Sequence, residues 1–432
     1  MFRHLAGAFC VVCVVCVVCI LSGWAFAGDP PATRPQNNTA QVNEGLAWLA
    51  KTQLKNGAWG QGDESSQMGN GLVNIRGTPN VADTCMAMMA LYHAGSSPTS
   101  GQYRDNIASA VNFVCGQIEA ADDQSLSITS LSGTRTQLKL GQFIDTFMAA
   151  QALAELKGKM EDPQANQRVE VALKKVLHKM EINQKSNGQW TGGGWAPALA
   201  QAQAAKAANI AVQNGAVFDE IKRQNAQEFA RADIRASAGG ISGGGGATDG
   251  KFTGDVTTAA GAAISGVGGG NAGVPLYSAA GDLAAMQASA NSNTQMRDQL
   301  EAAAKSPTTA PAQREVALRK IKDIDDNAKD LADAQQLVVQ RMTDPKFANG
   351  FGSNGGEEFL SYLNIGESLF QKGGNDWKTW NDSMTANLDR IQNDDGTWSG
   401  DHCITGRTFC TAAAIQVLCI DRAPTTTAQA SR

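Results

Sequence analysis

The chain has 432 residues, with 41 acidic and 36 Lys or Arg side chains, and its formal net charge is −5 at pH 7. This acidic balance and the absence of a basic run argue against nucleic acid as a partner. The length allows one large domain or two domains of ordinary size.

The first 27 residues have the pattern of an export signal. Arg3 supplies positive charge, residues 8–21 are almost wholly apolar, and Ala25-Phe26-Ala27 offers a small-x-small cleavage pattern. We expect cleavage after Ala27, export to the periplasm or the extracellular space, and no membrane span in the mature chain. The alternative is an uncleaved anchor, which the short apolar run disfavours.

Residues 28–40 are rich in Pro, Asn and Thr, which predicts a flexible leader. Helical spacing of apolar residues begins at Val42. A seven-residue motif then occurs three times and ends in a Trp each time. A Gln lies six residues before this Trp, an Asn or Asp three residues before it and a Gly two residues before it. Repetition at fixed spacing indicates an array of like units. We call these segments Gln–Trp turns: Gln53, Gly57 and Trp59; Gln184, Gly188 and Trp190; Gln392, Gly396 and Trp398.

Helices that are apolar almost all round alternate with amphipathic ones. Asp83 and Asp145 each stand at the start of an apolar helix, and Arg407 starts a third. This alternation predicts an outer, amphipathic layer and an inner, apolar layer, with about ten to twelve helices. The two Asp residues are interpreted as N-caps. The alternative is a pair of catalytic carboxylates with raised pKa at the rim of a shared site.

The array is interrupted in the second half of the chain. A Gly-rich run predicts a mobile loop, and a Lys- and Asp-rich run predicts a solvent-exposed helical insertion. The predicted segments are 41–235 for the first part of the array, 236–271 for the loop, 272–287 for an array helix, 288–345 for the insertion, 346–422 for the last part of the array and 423–432 for a disordered tail. Predicted helices include 105–120, 167–183, 314–342, 357–370, 377–392 and 407–420.

The Gln–Trp turn resembles the QW repeat of squalene and hopene cyclases and of related prenyltransferase-like proteins. The apolar helix that follows the third turn, with Thr408 to Ala414, also fits that superfamily. The resemblance covers about residues 41–290 and 346–422. It implies an all-α fold, an α/α toroid whose inner helices line a central cavity. The chain is similar above all to exported bacterial proteins that carry such repeats and have no defined activity.

A class II cyclase of this superfamily implies an Asp-x-Asp-Asp acid motif, and the chain has one match, Asp323-x-Asp325-Asp326. Alkene protonation requires an acidic carboxyl group that stays protonated in an apolar chamber. The match lies close to Lys322 and Lys329, so a solvated helix face is the favoured interpretation. Only 6% of the residues are aromatic, which argues against a chamber that stabilises carbocations.

Prenyltransferases of the superfamily hold zinc with Asp, Cys and His, and Asp401-His402-Cys403 is the one such cluster in this sequence. It lies in the turn before a helix, so its spacing is a weak metal signal. In an exported chain a disulfide between Cys403 and Cys410, or a plain loop, is favoured over zinc. The further alternative is that Cys410, like most of the remaining cysteines, is a small buried hydrophobe. No metal and no cofactor are predicted.

Glu357 and Glu358, followed by Tyr362, raise sugar binding as a further option. Their separation in space is not given by the sequence, so no acid/base assignment follows. The alternative is that both are ordinary carboxylates in the first turn of a helix, where the helix dipole favours them.

These observations predict an exported binding or scaffold protein that keeps the toroid without the acid site. Its ligand is expected to be apolar or isoprenoid, or its partner a protein. The Gln–Trp turns are predicted to tie one helical hairpin to the next. The alternatives are an isoprenoid cyclase or transferase that uses Asp83 or Asp145 in the central cavity, and an interaction module that binds through residues 236–345.

Overall fold

The computed structural model describes residues 38–64, 75–190, 193–242 and 274–424. Within these ranges the chain forms fourteen helices and no strand, which confirms the predicted all-α fold. The predicted signal peptide, the leader up to residue 37, the Gly-rich run from 243 to 271 and the tail from 425 lie outside the described residues.

Six helices bury side chains on nearly all sides over at least half of their length, and we call them the inner helices. They are α2 (Val81–His93), α5 (Ile144–Leu156), α7 (Pro197–Gln213), α9 (Pro275–Lys305), α12 (Gly356–Lys372) and α14 (Arg407–Leu418). The outer helices are α1 (Ala40–Thr52), α3 (Arg104–Ala120), α6 (Pro163–Asn183), α8 (Glu220–Ser242), α10 (Pro311–Arg341) and α13 (Gly374–Arg390). Two short helices, α4 (Arg135–Leu140) and α11 (Pro345–Ala348), lie in connections.

The inner helices pack on one another in chain order. Helix α2 packs on α5, α5 on α7, α7 on α9, α9 on α12 and α12 on α14, and α14 packs on α2. The series of contacts therefore returns to its first member. Each outer helix lies against an inner one: α3 against α2, α6 against α5, α8 and α10 against α9, α13 against α12, and α1 against α14. The two predicted helix types thus occupy different layers, because only the apolar helices have neighbours on both sides.

The segment predicted as a charged, solvent-exposed insertion, residues 288–345, packs against the array in the structure. Residues 288–305 continue α9, and α10 is an outer helix that packs on α9, α8 and α12. A buried stripe on α10 that includes Leu331, Ala334 and Val338 makes these contacts. The charged side chains occupy the other faces of α10. Because they are so numerous, the buried stripe is not apparent in the sequence. Helix α8 likewise runs to Ser242, into the segment predicted as a loop.

The Gln–Trp turns join successive outer helices. In each turn the Gln Nε2 donates to the carbonyl of its own Gly and to a carbonyl of the next outer helix, over 2.8–3.2 Å. The Trp Nε1 donates over 2.8 Å to the carbonyl ten residues earlier, in the preceding outer helix. The acceptors in the next helix are Asn106 of α3, Lys222 of α8 and Gln41 of α1. The third turn thus links α13, the last outer helix, to α1, the first.

The Gly of each turn lies where a side chain has no room. Gly57, Gly188 and Gly396 have φ between +80° and +86°, a conformation that L side chains rarely adopt. A Cβ on Gly57 would lie 2.3 Å from the carbonyl oxygen of Ser109, and one on Gly188 would lie 2.1 Å from that of Asn225. The repeated Gly therefore sets how closely the turn approaches the next outer helix.

Candidate functional site

A cavity of about 100 Å³ lies between the inner helices, and we call it the inner cavity. It is lined by the C-terminal halves of α2, α5, α7, α12 and α14 and by the middle of α9. Phe370 and His93 are the ring-bearing side chains among its lining residues. The polar side chains that line it are His93, Glu155, Lys206, Gln213, Gln287, Asn291, Asn364, Glu367, Ser368, Gln371 and Gln416.

Two charge pairs face the inner cavity. His93 Nε2 lies 3.0 Å from Glu155 Oε2, and Lys206 Nζ donates to Glu367 Oε2. Gln151 Nε2 donates to the other oxygen of Glu155 over 2.8 Å. Burial acts to raise the pKa of Glu155, but the charge and hydrogen bond of His93, with Gln151 and Lys206, outweigh it and lower the pKa to about 2. Glu155 is therefore ionised at neutral pH.

Three carboxamides of the inner cavity are paired with one another. Gln287 Nε2 donates to Gln371 Oε1 over 2.7 Å and to Asn291 Oδ1 over 3.1 Å. Asn364 differs, because its Oδ1 is buried and has no hydrogen-bond partner among the described residues. A buried acceptor without a partner is costly, so the inner cavity presents one open position for a donor.

Asp83, predicted as a helix cap, lies buried near the start of α2, but the cap of α2 is Asn80. The Asn80 side chain accepts from the Asp83 backbone N–H over 2.9 Å and donates over 2.7 Å to Asp83 Oδ2. Asp83 Oδ1 has no hydrogen-bond partner in the part of the chain that the structure describes. Burial raises the pKa of Asp83 to about 7, with Asp145 and Glu64 adding to the effect and the bond from Asn80 opposing it.

Asp145 does not cap its own helix either. Its Oδ1 accepts from the backbone N–H of Ala82 over 2.9 Å, so it caps the neighbouring helix α2. Its Oδ2 accepts from Gln137 Nε2 over 2.8 Å. Burial raises the pKa of Asp145, and these hydrogen bonds oppose the rise. The structure thus places Asp83 and Asp145 near one another, with Asp145 in a structural role and Asp83 left with an open oxygen.

Glu357 and Glu358 are the second and third residues of α12 and are fully buried. Glu358 Oε1 accepts from the Tyr277 hydroxyl and, over 3.0 Å, from the backbone N–H of Phe351. Glu357 Oε2 accepts from the backbone N–H of Ile404 over 3.1 Å. Burial, with the charge of Glu358, raises the pKa of Glu357 to about 8. Burial also raises the pKa of Glu358.

His402 and Cys403 of the predicted zinc cluster lie beside these glutamates, while Asp401 is exposed. His402 Nε2 lies 3.0 Å from the carbonyl oxygen of Ser353 and 3.5 Å from Glu358 Oε2. Burial, with the charge of Glu357, raises the pKa of the Cys403 thiol to about 11. Within the described residues, no group of three or more His, Cys, Asp or Glu side chains is arranged to hold a metal ion.

The disulfide predicted between Cys403 and Cys410 is absent. Both are free thiols in the structure, as are Cys85, Cys115 and Cys419. Cys410 is fully buried in α14, and its Sγ donates to the carbonyl of Ile404 over 3.4 Å. Cys403 lies outside the helix, in the loop that packs on Glu357, with φ at +56°.

The predicted acid motif lies on α10, away from the residues that line the inner cavity. Lys322 Nζ donates to Asp326 over 2.7 Å, and Arg297 donates to Asp325 over 2.6 Å. The hydrogen bond and charge of Lys322 lower the pKa of Asp326 below its ordinary value. Asp323 is exposed on the same helix. The structure therefore gives this motif the surroundings of a solvated helix face.

The sequence reading did not single out Glu155, Lys206, Asn364 or Glu367. A signal was present, because charged side chains within nearly all-apolar helices are rarely buried without a partner. Glu155 and Lys206 stand in such helices, α5 and α7. Their partners come from other helices, so the pairs became visible only with the packing.

Comparison with known proteins gives no further assignment: no protein-family model matches the chain, and a search of curated proteins finds no match. Among the described residues, no helix is both long and apolar enough to cross a membrane.

Proposed function

We propose that this chain is an exported α/α toroid of the squalene-cyclase and prenyltransferase type that binds a small polar ligand between its inner helices and does not cyclise isoprenoids. The observation that carries the proposal is the character of the inner cavity. Its volume is about 100 Å³, below the roughly 300–1,000 Å³ of common ligand pockets and below the ~150 Å³ cavity that holds benzene.

The lining of the inner cavity also opposes an apolar ligand. A hydrocarbon chain packed beside Lys206 and Glu367 would take two charges out of water without replacing any hydrogen bond. Carbocation chemistry requires aromatic faces around the reacting carbons, and the lining supplies one phenyl ring, that of Phe370. A small molecule with hydrogen-bonding groups fits both the size and the polarity.

Native mass spectrometry of the protein secreted by cells tests the proposal. We expect a non-covalent adduct of low mass on the wild type. Ala284→Leu fills the inner cavity from α9 and should remove the adduct. Ala317→Leu adds the same volume at a buried position of α10 that does not line the cavity, so it should retain the adduct. No adduct on the wild type, or equal adducts on all three proteins, would contradict the proposal.

A second candidate function is acid catalysis on an isoprenoid at the N-terminal ends of the inner helices. It is favoured by Asp83, which is buried, has one oxygen without a partner among the described residues and has a pKa raised to about 7. Such a carboxyl group retains its proton up to about that pH, as the proton donor to an alkene must, although its raised pKa makes it a weaker acid than an ordinary carboxyl group.

Incubation with squalene and with polyprenyl diphosphates, followed by gas chromatography and mass spectrometry, separates the two functions. The proposed binding function predicts no product. A product that is lost in Asp83→Asn, while a chain with Asp326→Asn still forms it, would establish the catalytic function instead.

A further inference from the structure

We infer that the inner cavity binds the ammonium group of a small primary amine. This inference rests on the proposed function and deepens it, since it names the chemical class of the ligand. Three features of the lining support it: the balance of charges, the direction of the inner helices and the open acceptor of Asn364.

The charged side chains of the lining include two carboxylates that can accept hydrogen bonds from a cation. Glu155 and Glu367 are carboxylates, and Lys206 is the single Lys or Arg among the lining residues. Glu155 is held ionised by its contacts with His93 and Gln151. The two positive groups of the lining, Lys206 and His93, are each in contact with one of these carboxylates, so the lining carries no excess positive charge that would oppose a cation.

The backbone adds to this charge balance. Five inner helices reach the inner cavity with their last turns: α2 ends at His93, α5 at Leu156, α7 at Gln213, α12 at Lys372 and α14 at Leu418. The C-terminal end of a helix carries partial negative charge, because its last carbonyl groups lack intrahelical partners. Five such ends converging on one cavity favour a cation and disfavour an anion.

Asn364 Oδ1 supplies the specific contact. It is an acceptor, it is buried, and no described residue donates to it. An ammonium group has three N–H donors and no acceptor, so it can satisfy Asn364 Oδ1 and also reach Glu367, whose side chain is 26% exposed. A ligand that has only acceptors leaves Asn364 unsatisfied.

The lining distinguishes a primary ammonium from a quaternary one. Quaternary ammonium groups have no N–H donor and are bound by several aromatic faces. The inner cavity offers the single phenyl ring of Phe370 beside its carboxamides. Its volume of about 100 Å³ also disfavours three added methyl groups.

Ligand-observed NMR on the full secreted chain at pH 7 tests the inference with four probes: ethanolamine, ethylene glycol and acetate, which are of similar size, and choline, which carries three more methyl groups. We expect ethanolamine to bind at least tenfold more tightly than the other three. Stronger or equal binding of ethylene glycol or acetate would overturn the inference, and so would the failure of ethanolamine to bind.

Variants at position 364 tie the binding to the open acceptor. Asn364→Leu should weaken ethanolamine binding at least tenfold, whereas Asn364→Asp retains an acceptor and should bind at least as tightly as the wild type. Asn327→Leu is the matched control, because Asn327 is another buried carboxamide without a partner and lies on α10, away from the inner cavity. Unchanged affinity in Asn364→Leu would overturn the inference.

The outcomes separate the inference from the proposed function. If a low-mass adduct depends on Ala284 but ethylene glycol binds better than ethanolamine, the ammonium assignment falls and the binding function stands. If no adduct forms and squalene is converted, the binding function itself falls.

Discussion

The two ends of the inner helices hold buried carboxyl groups in opposite states. At the N-terminal ends, burial raises the pKa of Glu357 to about 8 and that of Asp83 to about 7. At the C-terminal ends, the contacts of Glu155 with His93 and Gln151 lower its pKa to about 2, although burial opposes this. Comparable burial therefore leads to a neutral acid at one end and to an ionised one at the other.

The difference shows which effect dominates the pKa of a buried carboxyl group at each end of the inner helices. The N-terminal end of a helix favours a carboxylate, so Glu357 and Asp83 stand where the dipole should lower their pKa. Neither forms an ion pair with any of the described residues, and desolvation exceeds the dipole. Glu155 stands at a helix C-terminus, where the dipole is unfavourable, and a neighbouring imidazole reverses the result.

The largest expected effect comes from Glu357→Gln, which removes a carboxylate that is costly to ionise. The pKa is raised in the folded chain, so Glu357 destabilises the fold as pH rises from about 4.5 to about 8 and is neutral below that window. Gln should therefore raise the free energy of unfolding at pH 9 by on the order of 5 kcal/mol, at about 1.4 kcal/mol per pKa unit. Urea unfolding at pH 4 and pH 9 measures it. An equal effect at both pH values would mean that the pKa of Glu357 is the same in the folded and the unfolded chain.

The second largest effect is expected from Glu155→Gln at the C-terminal end, and it is a loss of stability. The pKa of Glu155 is lowered, so its stabilising effect is complete above about pH 4.5 and disappears as pH falls towards 2. Removing one member of a buried pair should cost on the order of 3 kcal/mol at pH 7. The control is Glu170→Gln, whose carboxylate lies 3.6 Å from Lys157 at the surface, and which should cost less than about 1 kcal/mol. Equal losses from both variants would contradict the buried pairing.

The smallest effect is expected from Asp326→Asn, which provides the exposed reference for this comparison. Asp326 pairs with Lys322 on the solvent side of α10, and salt screens such a pair. The urea midpoint at pH 7 should not change measurably. A clear loss of stability would mean that the Asp323 cluster is packed against another part of the chain.

The sequence predicted the layers better than the chemistry. The sequence pattern places Asp83 near the start of a buried helix, and the structure agrees. The side chain that caps this helix, however, is that of Asn80, three residues earlier. Asp145 was taken as a cap of its own helix, and it caps α2 instead, across a contact between two helices. Local patterns do not carry such contacts, because the partner comes from a different element.

The residues that line the inner cavity are harder to predict from the sequence than the helix caps. Glu155, Lys206 and Asn364 stand on α5, α7 and α12, and no motif links residues so far apart in sequence. The Asp-x-Asp-Asp match was visible at once because it is local, and the structure places it on an outer helix. A pattern of residue types identifies a site only when the fold brings those residues to a common surface.

By itself the sequence determined the all-α fold and the alternation of two kinds of helix, because hydrophobic periodicity and the Gln–Trp turns are local properties. Only the tertiary structure decided that α10 is an outer helix and that the contacts of the inner helices return to α2. It also decided which buried carboxyl groups keep a proton. The physical reason is that a pKa depends on the charges and hydrogen bonds within a few ångströms, which packing supplies.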